Sequence, residues 1–222
     1  MGSLEGIVSA LFGEGTNTVD IVLLLTVLSL LPSIVLMMTG FTRIVIVLGF
    51  LRNAMGTQSA PPNQVIIGLA LFLTMFVMGP TLNTIYEDAY KPYAAGEIAQ
   101  EEFFDRAMVP TRSFMMRQTT ESDMSFFVSL SGNTYENLDA IPNSVLIPAF
   151  MTSEIKRAFQ IGFMIYIPFI VIDMIVASTL MAMGMMMLPP AMISLPFKII
   201  LFVIADGWTL TIGTLVQSFF VT

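Results

Sequence analysis

The chain has 222 residues, 55% of them hydrophobic and only 11% charged, with a formal net charge of -7. A soluble domain carries about 25% charged residues, so this low share and a mean hydropathy of +0.83 mark a membrane-associated chain of one unit. With no Cys and no His, disulfides, thiolate chemistry and zinc sites of the usual ligand types are excluded.

The charge is unevenly placed. Ten of the 16 acids fall between Glu87 and Asp139, so the acidity belongs to a solvated middle segment and gives no basic face for nucleic acid. Four stretches follow from this. Residues 1–18 form a polar tail with Glu5 and Glu14 and no Lys or Arg, unlike an intact signal peptide. Residues 19–86 form a first hydrophobic hairpin, 87–147 a polar acidic helical segment, and 148–222 a second hydrophobic hairpin with a Met-rich turn at 181–190.

In chain order, Val19–Met38 is long enough to cross a bilayer core as a helix, with a kink expected at Pro32. Arg43 follows inside a long apolar block. A charge there faces protein or a water-filled cavity, not lipid. The polar stretch 52–63 is a connection, and Val65–Met78 leads to Gly79-Pro80, with Gly68 offering a close approach for another helix.

In the acidic segment, Glu97–Met108 and Ser113–Leu130 read as two amphipathic helices, the second closed by Ser131-Gly132-Asn133. Thr152 or Ser153 is then expected to cap a helix that starts near Glu154. The run Phe159–Leu180 carries one charge, Asp173, and Pro168 is expected to kink it. Pro189 and Pro190 are expected to stop that arm, and Pro196-Phe-Lys198 to open the last one, with Asp206-Gly-Trp208 inside it.

Two features invite a function. Five of the 19 methionines lie in the seven residues 181–187. They read either as loosely packed, gap-filling core or as a ring of thioethers closing an opening that deforms around cargo. Cu(I) binding by thioethers has no His or Cys to support it.

The second feature is charge inside apolar runs: Arg43, Asp173, Lys198 and Asp206. Such charges are costly alone. Ion pairing resolves the cost, with Glu154 or Asp173 meeting Lys198 within or between chains. A proton relay through the same residues is the alternative. No G-x-S-x-G, P-loop or G-x-G-x-x-G appears, so no catalysis is expected.

Longer stretches carry a resemblance. Pro148-Ala-Phe-Met-Thr-Ser-Glu154 running on to Phe163, and Pro196-Phe-Lys198 running on to Asp206-Gly207-Trp208, resemble the two signatures of the FliP/SctR family of type III secretion export gates, in its flagellar branch. Phe41-Thr-Arg43 to Leu48, Leu51–Pro62 and Met185-Met186-Met187-Leu-Pro-Pro are similar to the same family, so the likeness covers residues 20–222. Gly40 departs from it, since a Ser or Thr is expected there.

The resemblance implies an all-α fold. Kinked helical hairpins with a small polar insert assemble into a helical ring, a pentamer by family analogy. It implies a pore subunit passing unfolded flagellar proteins, with FliQ, FliR and FlhB as partners and no cofactor. Met185, Met186 and Met187 would line the pore as a gasket, with Glu154 and Lys198 holding the ring together.

It also implies the bacterial inner membrane, within the flagellar basal body, with much of the chain on the periplasmic side. Independently of the resemblance, the positive-inside rule applied to Arg52 places the 52–64 connection in the cytoplasm and the acidic segment outside. The competing function is a small-solute or ion transporter with Asp173, Lys198 and Asp206 as its coupling site.

Overall fold

The computed structural model describes residues 18–57, 59–185 and 187–220. The polar tail therefore lies outside the described residues, except for Thr18 at the start of the first helix. Every described element is helical, and no strand occurs among the described residues. The chain divides into two units, Met1–Met37 and Met38–Thr222.

In the first unit the described element is helix α1, Thr18–Met38, with Pro32 inside it. Its composition is almost wholly apolar. Two of its hydroxyls turn back on the helix: Thr26 donates to the Val22 carbonyl and Ser29 to that of Thr26.

The second unit starts with α2, Phe41–Met55, closed by Gly56 in the left-handed conformation. Helix α3, Asn63–Ile85, runs through Pro80 into a π-helical turn, Tyr86–Tyr90, and the short α4, Lys91–Ala94. Helix α5, Gln100–Gln118, and α6, Glu121–Ser131, form the polar insert. The 40-residue α7, Asn143–Ala182, leads to the Met-rich turn. Then come α8, Pro190–Ile204, and α9, Gly207–Gln217, bent 65° from each other.

Several boundaries differ from those expected, for local reasons. The insert breaks at Thr119-Thr120, and α5 passes straight through Pro110. Thr120 accepts from the backbone N–H of Asp123, which makes it the N-cap of α6. No helix starts near Glu154. Thr152 instead donates back to the Pro148 carbonyl at 2.9 Å, and α7 runs on through it. The line between residues 147 and 148 thus falls inside a helix.

The prolines of the Met turn do not stop the preceding arm. That arm ends at Ala182, seven residues before Pro189, and Pro189 and Pro190 occupy the N-cap and first position of α8, where a missing N–H costs nothing. The last arm accordingly opens at Pro190, and Pro196 lies inside it. Asp206-Gly207 falls at its break, with Asp206 at φ 47°.

The core is the seam of α2 against α7, the most extensive helix contact, joined by α3, α5, α6 and α9. Ile44, Val47 and Leu48 of α2 meet Leu146, Ala149 and Phe150 of α7, all buried. Gly162 makes the approach possible, since a Cβ there would lie 2.6 Å from the Phe50 ring. Gly68, expected to serve such a contact, has open space beside it.

Two helices among the described residues are long and apolar enough to cross a membrane, Asn63–Ala94 and Asn143–Ala182. Only 11% of the apolar window of α7 is buried. The rest of that surface needs lipid or other protein to cover it. The fold is an all-α membrane protein.

Candidate functional site

Arg43 is fully buried one turn into α2, facing α7. Its guanidinium has five N–H donors and the surroundings use them all. Nε donates to Glu154 Oε2 at 3.0 Å, and Nη2 pairs with Glu154 Oε1. Nη2 also donates to Gln118 Oε1 at 2.9 Å. Nη1 donates to the Ser218 carbonyl and hydroxyl at 3.1 and 3.0 Å. The pair is the two-pronged Arg–carboxylate geometry, which is both strong and directional.

Four elements meet on this one side chain: α2, α5, α7 and the segment after α9. The Phe219 ring lies 3.8 Å from the Arg43 Cζ, a cation–π contact that covers the guanidinium. Gln118 fastens that segment by donating to the Phe219 carbonyl at 2.9 Å, and its Oε1 also accepts from Arg157 at 3.0 Å. Gly40 has a reason here. A Cβ on it would sit 2.6 Å from the Phe219 ring, so the smallest residue makes room for the aromatic cover.

A second pair joins the arms of the C-terminal hairpin. Lys198 of α8 donates to Asp173 Oδ2 at 2.6 Å, and Ser194 donates to Oδ1 at 2.6 Å. The Lys198 side chain is 8% exposed and that of Asp173 41% exposed, so the ammonium is enclosed while the carboxylate reaches the surface. The expected choice of Glu154 or Asp173 for Lys198 therefore falls on Asp173. Glu154 goes to Arg43. Asp206 forms no ion pair among the described residues; it stands exposed at the joint of α8 and α9.

A third cluster had no counterpart in the sequence reading. Asp123, only 2% exposed, accepts from the hydroxyls of Thr120 and Ser153, each at 2.7 Å, and pairs with Lys156. This pins α6 to α7. The signal was present as a capping box, Thr120-x-x-Asp123, with Ser153 and Lys156 three residues apart on one face.

Burial pushes the Asp123 carboxyl up, but the hydrogen bonds from Lys156, Ser153 and Thr120 and the Lys156 charge outweigh it. The net effect holds it below the ordinary carboxylate value. A depressed folded value means the contact contributes fully above the unfolded value, about 3.9, and is lost as pH falls through the folded one. Amide exchange in α6 should therefore stay slow down to about pH 4 and accelerate below it. Asp123→Asn should exchange faster at neutral pH and lose most of the acid step. An acid step of equal size in both proteins would count against this latch.

The Met-rich turn ends α7 with a complete Schellman motif. Gly184, at φ +72°, donates to the Met181 carbonyl, and Met185 N–H to that of Leu180, both at 3.0 Å. The turn projects thioethers outward: Met183 is 67% exposed, Met185 39% and Met187 98%. Met186 lies outside the described residues. So the loosely packed core reading does not describe Met183 and Met187 within a single chain.

These observations define a class: an all-α membrane protein with a charge-locked helical core and a thioether-rich tip between two apolar arms. Sequence comparison makes it specific. The chain belongs to the FliP family, which it matches over residues 24–215.

It is 54% identical to the flagellar biosynthetic protein FliP of Pectobacterium carotovorum subsp. carotovorum, over 98% of this chain and 86% of that protein. It is 54% identical to that of Bacillus subtilis (strain 168), over 92% of this chain and 93% of the relative. The FliP of Buchnera aphidicola subsp. Acyrthosiphon pisum (strain APS) is 50% identical over 97% of this chain, which spans 58% of that relative's length.

Proposed function

We propose that this chain is a pore-forming subunit of the flagellar protein export gate. Several copies assemble with FliQ, FliR and FlhB in the bacterial inner membrane, and unfolded flagellar proteins pass through the axis. The observation that carries the reading is the Met-rich tip. Large apolar side chains that their own fold leaves exposed need a place to go, and a shared axis between copies of an export-gate subunit would be such a place.

Met185, Met186 and Met187 are the gasket. Thioethers are apolar enough to exclude hydrated ions, and their rotatable bonds let them yield to a passing chain. No residue is assigned a catalytic role. The Arg43–Glu154 and Asp173–Lys198 pairs keep each subunit's arms in register so that the tips converge. The wide apolar faces of α3 and α7 supply the contacts between subunits, and much of the assembly stands on the periplasmic side.

Native mass measurement tests the reading. Co-expressed with FliQ and FliR and extracted in mild detergent, the chain should run as one discrete complex containing several copies of itself. Recovery as a monomer or dimer under the same conditions would favour the transporter reading, with Asp173, Lys198 and Asp206 as its residues.

A further inference from the structure

The turn between α7 and α8 holds a chemistry that a gasket does not use. A thioether is a nucleophile toward peroxide, and oxidation to the sulfoxide turns a flexible apolar side chain into a polar one. The chain has no Cys, so no thiol within it competes for the oxidant.

Three observations separate the methionines of this turn from the rest. First is access. Met38, Met55, Met78, Met115 and Met124 are buried in the core. Met183 and Met187 are exposed, as is Met192 in the first turn of α8. Exposure counts twice here, because it admits the peroxide and supplies water to carry a proton.

Second is position. Met75 of α3 and Met164 and Met174 of α7 are exposed too, but they lie on long apolar helices whose surface lipid or other protein covers. Met183, Met185 and Met187 lie past the end of α7 and before the start of α8. On the export-gate reading they face a shared axis, where water meets the outermost layer of the ring.

Third is what holds the turn. Met183 N–H donates to the Thr179 carbonyl at 3.1 Å, and Leu188 N–H to that of Met185 at 3.4 Å, beside the two bonds of the Schellman motif. All of these are backbone bonds. An oxygen added to a sulfur therefore leaves the turn folded and changes only what it presents.

We propose that this tip is an oxidation site through which hydrogen peroxide opens the ion barrier. A sulfur lone pair takes one peroxide oxygen, an S–O bond forms and the O–O bond breaks. The sulfur is oxidised by one electron pair and the peroxide is reduced. The proton on the transferred oxygen passes through water to the leaving hydroxide, which departs as water. The sulfoxide carries an S–O dipole that draws water to it. A ring that excludes hydrated ions by being apolar loses that property when its members become sulfoxides. The leak rests on the export-gate reading; the site of oxidation does not.

The test pairs site mapping with conductance. The purified full chain in detergent is treated with hydrogen peroxide, quenched, digested and read by mass spectrometry. Met183 and Met187 should gain oxygen about tenfold faster than Met55, Met78 and Met115. Proteoliposomes holding the complex with FliQ and FliR should leak ions severalfold faster after the same treatment. With Met185→Leu, Met186→Leu and Met187→Leu together, the barrier layer has no sulfur and should stay tight in peroxide.

Oxidation of the tip no faster than that of the buried methionines would overturn the site. So would a fully oxidised complex that stays tight, or a Leu variant that leaks in peroxide as much as the unmodified complex. Ala at the same three positions tells two failures apart. If the Ala complex leaks while the oxidised one stays tight, only the oxidation proposal falls. If both stay tight, the gasket falls with it.

Discussion

Replacing Glu154 with Leu while Arg43 stays in place should destabilise the protein by about 3–5 kcal/mol, because it strands a buried guanidinium without a counter-charge. All five donors of Arg43 are placed, and two of them lose their acceptor at once. Arg cannot shed its proton to escape the penalty. A buried carboxyl can take one up, so Arg43→Met alone should cost less than Glu154→Leu alone.

Removing both, as Arg43→Met with Glu154→Leu, should recover part of the loss. Apolar replacements of similar volume often match a buried ion pair. Recovery stays partial, because Gln118, Ser218 and Phe219 also lose the partner they close upon. Thermal unfolding of the four proteins in one detergent measures the cycle. A double variant as unstable as the sum of the singles would show that the two side chains are not coupled.

That cycle concerns a contact between residues 111 apart, and it marks where sequence reading stops. Arg43 was legible as a charge needing a protein neighbour, since an isolated charge in an apolar run is too costly to leave in lipid. Its partner was not. Glu154, Asp173 and Asp206 are chemically alike, and only helix packing decides which one comes within reach. The close approach at Gly162 sets α2 against α7 so that Arg43 meets Glu154. Asp173, five turns further along α7, is left for Lys198.

The all-α class was legible, because the apolar composition and helical periodicity of the segments are local properties and the family resemblance points the same way. Helix ends were less so. Thr152 and Ser153 look like caps, but one hydroxyl bonds back within its helix and the other is taken by Asp123 of α6. Pro189 and Pro190 look like a stop and act as a start, since the chain has already turned at Gly184. Gly40 looked like a departure from a family pattern. It becomes intelligible only beside Phe219, which is 179 residues away.

The methionine tip carries the second large effect. Changing Met185, Met186 and Met187 together to Ala should raise ion leak through the assembled complex severalfold while leaving its mass and unfolding temperature almost unchanged. The two outcomes separate because Met185 and Met187 are exposed in the single chain, so their truncation opens no cavity in its core. Under the proposed gasket, what shortening removes is bulk at the point where the copies would converge. Three thioethers per copy would fill an axis that three methyl groups would leave open to water.

Leu at the same three positions is the sharper comparison. It restores apolar volume but branches early and bends less easily than Met. Leu variants should therefore hold the ion barrier and slow the passage of cargo, so leak and export respond to different properties of one ring. The measurement is conductance across proteoliposomes holding the complex, paired with secretion in cells. Unchanged leak in an intact Ala complex would remove the gasket role. The exposed tip would then be a contact surface between subunits.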